Sequence, residues 1–245
     1  MPKITRSRTL LLACVASLAA AGSRAAGEPA DPQPATLAQL CPRHPTDKCR
    51  SDHNYVEIYD TLFAPLKSKT LRLLEIGVLE GHSLRLWEDY FPAARIFGID
   101  IVDSTKHDAG RVKTLVADQG KREDLAKVIA TTGGAFDIVL DDGGHRMDQQ
   151  QISFGVLFPA VKSGGLYIIE DIHTSFPELY LDYGVEADGK NSTYALIDRF
   201  VRTQRIDSKY LTVAENDYLS ENISYCAYFL RLNGRHSDFF ACWKR

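Results

Sequence analysis

Residues Leu71 to Ser83 read LRLLEIGVLEGHS, and this stretch decides the fold. Its apolar first half predicts a strand over 71–77, and its glycines fall where that strand turns into a helix predicted over 82–91. A strand that enters a helix through a glycine-containing turn is typical of an open α/β sheet, in which ligands bind at the carboxyl ends of the strands. The stretch therefore predicts both the fold class and the place of the binding site.

The same unit recurs along the chain. Short apolar strands alternate with helical patterns, which is typical of a parallel sheet with helices on both faces. We predict further strands at 94–100, 112–118, 136–142 and 165–171, and further helices at 121–131 and 147–161.

A helix precedes these units and an antiparallel tail follows them. Helical spacing of apolar residues before Pro65 predicts the first helix. The tail predicts a helix over 194–205 and strands over 211–214, 223–232 and 238–243, the last two joined by an Asn233-Gly234 turn. The predicted fold class is α/β: a doubly wound, Rossmann-like, seven-stranded sheet that is mostly parallel with a C-terminal antiparallel hairpin.

The composition is that of one globular domain. The chain has 245 residues, of which 44% are hydrophobic and 25% are charged. Its net charge of -3 gives no basic surface for a phosphate backbone. Nucleic acid is therefore excluded as a partner.

The N-terminus has the pattern of a secretory signal peptide. Residues 1–27 carry four basic residues and no acid, and an apolar run over 10–21 precedes small residues. The run is too short to cross a bilayer. We predict a signal peptide over 1–25 and an exported protein, periplasmic or secreted, with no stable membrane span after leader removal. An organellar transit peptide and a mis-chosen start of a cytoplasmic protein are the alternatives.

Prolines dominate the next segment, which predicts a linker over 26–45 and a single domain over 46–245. Four cysteines remain outside the leader, and export would permit them to form two disulfides. Buried thiols in a reducing compartment are the alternative. The four are Cys41, Cys49, Cys226 and Cys242.

The turn after the first strand favours a cofactor without phosphate groups. Gly77 and Gly81 are spaced Gly-x-x-x-Gly, unlike the Gly-x-Gly-x-x-Gly of dinucleotide sites. Glu75 and Glu80 flank the turn and would repel a pyrophosphate. Acidic walls suit S-adenosylmethionine, because it carries a sulfonium and an ammonium group.

Further acids follow the next strands. Asp100 is placed to accept the ribose hydroxyls, Asp118 to reach the adenine amine, and Asp141 to complete the same cofactor site. Alternatively, each of these acids caps a loop or the N-terminus of a helix.

The ends of the fourth and fifth strands predict the chemistry. They read Asp141-Asp142-Gly143-Gly144-His145 and Glu170-Asp171-Ile172-His173, so carboxylates and imidazoles crowd together and require a cation. Oxygen ligands favour Mg²⁺, which we assign to Asp142, Glu170 and Asp171. His145 is the predicted general base, since imidazole exchanges protons near neutral pH. In the alternative interpretation, His145 is a surface residue and the acids are loop caps.

These motifs resemble a known family. The Glu-x-Gly-x-x-x-Gly loop, Gly98-Ile99-Asp100 and the run over 158–167 are similar to class I S-adenosylmethionine-dependent methyltransferases. More narrowly, residues 141–145 and 169–175 resemble the metal-dependent sugar O-methyltransferases of macrolide tailoring, of the mycinamicin and macrocin type. Thr46-Asp47-Lys48 and His53-x-Tyr55 with Tyr59 also resemble the N-terminal segment of that group.

The resemblance covers about residues 46–245 and implies a Mg²⁺-dependent O-methyltransferase. The acceptor would be a hydroxyl of a sugar or glycosylated small molecule, with the metal on Asp142, Glu170 and Asp171 and with His145 as base. The chain departs from the mycinamicin enzyme in lacking an extra N-terminal domain, so the acceptor and a possible homo-oligomer stay open. The alternative function is a non-catalytic exported ligand-binding protein that retains the fold.

Overall fold

The computed structural model describes residues 35–180, 182–232 and 236–245. The predicted signal peptide, the first part of the predicted linker and the Asn233-Gly234 turn lie outside the described residues. Within the described part of the chain, every helix is too short or too polar to cross a membrane.

The strands form one seven-stranded sheet in the order β3-β2-β1-β4-β5-β7-β6. The first five strands run parallel, while β7 pairs antiparallel with both β5 and β6. This confirms the predicted fold class. The strands are β1 (Arg72–Ile76), β2 (Arg95–Asp100), β3 (Val112–Val116), β4 (Phe136–Asp141), β5 (Val161–Glu170), β6 (Ile223–Leu232) and β7 (His236–Lys244).

Helices cover both faces of the sheet. Neighbouring strand residues point to opposite faces, so Leu73 belongs to one buried apolar cluster and Leu74 to the other. The first cluster packs against α1 to α3 and the second against α4 to α7. The helices are α1 (Leu37–Leu40), α2 (Val56–Phe63), α3 (His82–Tyr90), α4 (Arg122–Thr132), α5 (Met147–Leu157), α6 (Thr193–Thr203) and α7 (Val213–Asn222).

The structure differs from the predicted linker at its C-terminal end. The compact unit begins at Ala35, and α1 buries Leu37 and Leu40 in the first apolar cluster. Thr36 caps this helix reciprocally with Gln39, and the Leu37 amide donates to Asp60 at 3.0 Å. The prolines masked a helix too short to show a clear apolar period.

The strand predicted over 211–214 is wrong, because α7 begins there instead. The run is rich in β-branched residues, which favours a strand. Thr212 and Glu215, however, form a capping box, in which each side chain accepts a hydrogen bond from the other residue's amide. This local hydrogen bonding outweighs the strand propensity of a few residues.

Both possible disulfides are formed. Cys41 is bonded to Cys49, and Cys226 to Cys242. The second pair lies at directly opposed positions of β6 and β7. The thiol alternative does not describe this structure.

Candidate active site

A cavity of about 680 Å³ opens at the carboxyl ends of β1 to β4. Its lining includes Gly77, Asp100, Asp118, Asp142 and His145. Residues predicted for the cofactor and residues predicted for the chemistry therefore share one cavity. It lies where ligands bind in open α/β sheets.

The first turn requires glycine for two different reasons. Gly77 has a φ of +88°, and a Cβ atom there would lie 2.1 Å from the carbonyl oxygen of Asp142. Gly81 has a φ of +70° and lies against His107, at the start of α3. Of the two, Gly77 lines the cavity, whereas Gly81 belongs to the turn but not to the lining.

Asp100 and Asp118 lie on the cavity wall, as predicted. Asp100 accepts hydrogen bonds from the amides of Val78 at 2.9 Å and Val102 at 3.0 Å. Burial alone would raise the pKa of Asp100, but these amide donors outweigh it and lower the pKa. Asp118 accepts from the Gly120 amide at 2.9 Å. Both acids thus also brace the turns around them.

Glu75 lies beneath the cavity rather than on its lining. Its side chain is fully buried, and Oε2 accepts hydrogen bonds from Ser83 Oγ at 2.8 Å and Trp87 Nε1 at 3.2 Å. Burial raises the pKa of Glu75 to about 7, although nearby Lys48 opposes the shift. Oε1 has no hydrogen-bond partner among the described residues. Glu75 therefore does not line the cavity and would not contact a cofactor there directly.

Asp141 is likewise buried behind the lining. It accepts hydrogen bonds from Gln119 Nε2 at 3.0 Å, from Tyr167 Oη at 3.1 Å and from Ser153. Gln119 Oε1 in turn accepts from the Gly144 amide at 2.6 Å. Burial raises the pKa of Asp141 to about 6, against these donors. Asp141 positions the wall and does not face the cavity.

The ends of β4 and β5 bring Asp142, His145 and Asp171 together. One ligand atom of each lies within 4.8 Å of the others, so the three could hold a cation. His145 Nε2 is 3.5 Å from Asp171 Oδ2 and 3.9 Å from Asp142 Oδ1. His145 and Asp171 both adopt positive φ angles, of 56° and 53°, a strained conformation that often marks functional sites.

Glu170, the remaining predicted metal ligand, is the fourth member of this acid group, but it is not one of the three residues whose ligand atoms lie within 4.8 Å of one another. It is buried, with Oε1 accepting from Tyr59 Oη at 2.7 Å and Oε2 from Lys48 Nζ at 3.1 Å. Burial and the charge of the neighbouring Asp142 raise the pKa of Glu170, although Lys48 opposes the shift. Glu170 is thus occupied by protein donors.

Lys48 is a residue of the candidate site to which the sequence motifs assigned no role. Its side chain is 1% exposed, and Nζ bonds Asp142 Oδ2 as well as Glu170. Glu75 Oε1 and Asp47 Oδ1 follow at 3.7 and 3.8 Å. Burial would lower the pKa of Lys48, but these carboxylates outweigh it and raise the pKa. The Thr46-Asp47-Lys48 motif was visible in the sequence, but its place in the fold was not.

Helix α2 and the residue before it orient the β5 acids. Tyr55 Oη donates to Asp171 Oδ1 at 2.7 Å, as Tyr59 does to Glu170. Asp238 of β7 accepts from the His173 amide at 2.7 Å, and its Oδ1 lies 2.9 Å from His173 Nδ1. His173 is therefore buried, not turned to solvent.

The described residues between 173 and 195 include tyrosines in two kinds of environment. Tyr194 packs against Phe176 and Tyr228, with ring centroids 5.0 and 5.5 Å apart. Tyr180 is 37% exposed and lies 6.4 Å from the ring of Tyr183. Packing explains Tyr194, while Tyr180 still faces outward.

Comparison with known proteins finds sugar O-methyltransferases. The chain is 39% identical over 153 residues to 8-demethyl-8-(2-methoxy-alpha-L-rhamnosyl)-tetracenomycin-C 3'-O-methyltransferase of Streptomyces olivaceus, covering 59% of this chain and 38% of that protein. It is 39% identical over 159 residues to mycinamicin VI 2''-O-methyltransferase of Micromonospora griseorubida, covering 62% and 39%. No protein-family model matches the chain.

A solved structure supports the same relationship. The MycE methyltransferase of mycinamycin biosynthesis, in complex with Mg, SAH and mycinamycin VI, superposes with a TM-score of 0.71 at 30% identity. The match covers 86% of this chain and 55% of that one. The chain spans between 38% and 50% of the length of the curated relatives it matches.

Proposed function

We propose that this protein is an O-methyltransferase. The chain is related to the sugar O-methyltransferases and shares the class I methyltransferase fold. It would transfer the methyl group of S-adenosylmethionine to a hydroxyl of a sugar or glycosylated small molecule. The observation that carries the proposal is that one cavity joins the wall formed by Gly77, Asp100 and Asp118 to Asp142 and His145.

The cavity fits the cofactor in charge. Asp100 and Asp118 supply acceptors along one wall, where ribose hydroxyls and an adenine amine would donate. Gly77 lines the same cavity, and the backbone of Asp142 fills the position that a Cβ atom would take there. These features support S-adenosylmethionine as the cofactor.

The acid group fits a divalent cation in its donors. Asp142 Oδ1 and Asp171 Oδ2 lie beside His145, and carboxylate oxygens are the ligands that Mg²⁺ prefers. We assign Mg²⁺ to Asp142 and Asp171, with Glu170 as the third carboxylate once Lys48 releases it. When bound, the ion would lower the pKa of an acceptor hydroxyl and orient it.

We assign the role of general base to His145. Its Nε2 faces the carboxylates, while Nδ1 is buried with no hydrogen-bond partner among the described residues. The cofactor would supply an electrophilic methyl group, and His145 would accept the proton of the acceptor hydroxyl. An O–C bond would form as the C–S bond broke, which would give S-adenosylhomocysteine and a methyl ether.

The test combines cofactor binding with methyl transfer. The full-length chain should bind S-adenosylmethionine in calorimetry and add one methyl group to a member of a glycoside panel that includes a rhamnoside. His145→Ala should lower kcat by about 10² to 10⁴-fold while the cofactor still binds. Asp217→Asn, on an exposed position of α7, is the control and should retain activity. Absence of cofactor binding by the wild-type chain would refute the proposal.

We also propose that the chain is exported behind a signal peptide. Two disulfides support an oxidising compartment, since such bonds are rare in reducing ones. N-terminal sequencing of protein recovered from cells should find a start near residue 26. Recovery of Met1 from a cytosolic fraction would contradict export.

A further inference from the structure

Lys48 lies at the junction of the cofactor cavity and the acid group. The residue lines the cavity, and its Nζ contacts Asp142 Oδ2 and lies 3.1 Å from Glu170 Oε2. These are two of the three carboxylates assigned to the metal. The ammonium therefore occupies two of the carboxylates that a divalent cation would use.

The backbone of Lys48 is fixed, whereas its side chain has a second acceptor within reach. The Lys48 carbonyl accepts from the Val56 amide at 3.1 Å, and the next residue, Cys49, is tied to Cys41. Glu75 Oε1 lies 3.7 Å from Nζ and has no hydrogen-bond partner among the described residues. A small rotation of the side chain would exchange Glu170 for Glu75 without moving the segment.

Charge makes the exchange necessary. An ammonium and a dication that share Asp142 and Glu170 would repel one another strongly in a buried site. A buried carboxylate, in turn, is costly unless a cation or a donor satisfies it. Lys48 satisfies Glu170 in this structure, and Glu75 would satisfy Lys48 if a metal took Glu170.

We infer that Lys48 competes with the metal for Glu170, an inference that rests on the proposed function. When the ion binds Glu170, the Lys48 ammonium moves to Glu75. Glu75, predicted as a cofactor ligand, is then a positioning residue for Lys48. The affinity of the site for a divalent cation is set by this exchange as well as by the metal ligands themselves.

The experiment measures Mn²⁺ affinity by electron paramagnetic resonance on the full chain, without substrate or turnover. Lys48→Met removes the charge and keeps the length, and we expect the Kd for Mn²⁺ to fall by about tenfold or more. Lys69→Met removes the same charge at an exposed position and should leave the Kd unchanged. Near-ultraviolet circular dichroism checks that each variant is folded.

A second variant tests the exchange itself. Glu75→Gln keeps an acceptor for Ser83 and Trp87 but removes the charge that would receive Lys48. It should weaken Mn²⁺ binding by about tenfold in the wild-type background and by much less in the Lys48→Met background. A double-mutant cycle measures this difference as the coupling between Lys48 and Glu75. The measurement on Glu75→Gln in the wild-type background remains informative if Lys48→Met fails to fold.

The outcomes separate the inference from the proposed function. Mn²⁺ binding by the wild-type chain, with an equal or higher Kd in Lys48→Met, overturns the inference alone. Unchanged or tighter binding by Glu75→Gln in the wild-type background also overturns it. Absence of Mn²⁺ binding by both the wild-type chain and Lys48→Met overturns the inference together with the metal assignment.

Discussion

The cofactor wall, formed by Gly77, Asp100 and Asp118, differs in construction from the acid group formed by Asp142, His145, Glu170 and Asp171. In the wall, each acid braces its own or a neighbouring turn through backbone amides, as Asp100 does with Val78 and Val102. The acid group is satisfied by side chains that precede or lie in α2, roughly a hundred residues away in sequence. The wall is local in sequence and the acid group is not.

This difference gives the two regions different weak points. A wall made of turns fails when a turn cannot adopt its backbone conformation, because no side chain can compensate. The acid group fails when the partner segment is displaced, because buried carboxylates are then left unpaired. Three predictions test this contrast.

The largest effect should come from Gly77→Ala. The new Cβ would lie 2.1 Å from the Asp142 carbonyl oxygen at a φ of +88°, so backbone must move in both regions. We expect the free energy of unfolding to fall by about 3 kcal/mol or more, with loss of cofactor binding, as urea denaturation and calorimetry would show.

Gly164→Ala is the matched control. Gly164 also has a positive φ, of 73°, but a Cβ there meets nothing within 4 Å. It should cost only the left-handed strain of about 1 kcal/mol. Equal losses in the two variants would mean that the close approach between the wall and Asp142 is unimportant.

Removal of the disulfides should have the next largest effect, and should separate stability from binding. Each pair of Cys→Ser changes is expected to cost about 3 kcal/mol, slightly more for Cys226 and Cys242 because their loop is longer. Thermal unfolding under non-reducing conditions measures this loss.

The two disulfides differ in what they hold. Cys49 directly follows Lys48, so loss of the Cys41–Cys49 bond should also change the Mn²⁺ affinity of the acid group. Loss of the bond between β6 and β7 should leave that affinity unchanged. Equal effects on Mn²⁺ affinity would refute the view that this segment controls the acid group.

The same contrast explains which features were predictable from sequence. Asp100 and Asp118 lie on the cavity wall. This position could be predicted because strand ends and turns are local signals in the sequence. Asp141 ends β4 and Glu75 lies one residue before the end of β1, but both side chains point into the interior, where Gln119 and Ser83 donate hydrogen bonds to them.

Non-local pairing explains what the sequence left undetermined. The sequence predicted that a cation must neutralise the crowded acids, and the structure supplies Lys48 as one such cation. No local pattern indicates that a lysine ahead of α2 lies beside β4 and β5, because that contact depends on how the helix packs on the sheet. The strand predicted over 211–214 was wrong for the opposite reason. A capping box a few residues long outweighs the strand propensity of its β-branched residues.

The smallest expected effect is a pH dependence of the free energy of unfolding that comes from Asp141. Neutral donors bind this carboxylate, in contrast to the acids beside Lys48. Burial raises the pKa of Asp141 to about 6 despite the hydrogen bonds from Ser153, Gln119 and Tyr167. The unfolded chain releases this proton near pH 4, so between about pH 4 and 6 the folded state binds more protons than the unfolded state. Stability therefore falls as the pH rises through this window, by about 2 kcal/mol.

Asp141→Asn isolates this contribution. Urea denaturation of the wild type and the variant should give a stability difference that shifts in favour of the variant by about 2 kcal/mol between pH 4 and pH 6.5, and then stays level. Asp217→Asn, at an exposed position, should show no such shift. A difference that is flat across the range would mean that hydrogen bonds alone hold Asp141 ionised. The contrast between acids held by neutral donors and acids held by a lysine would then disappear.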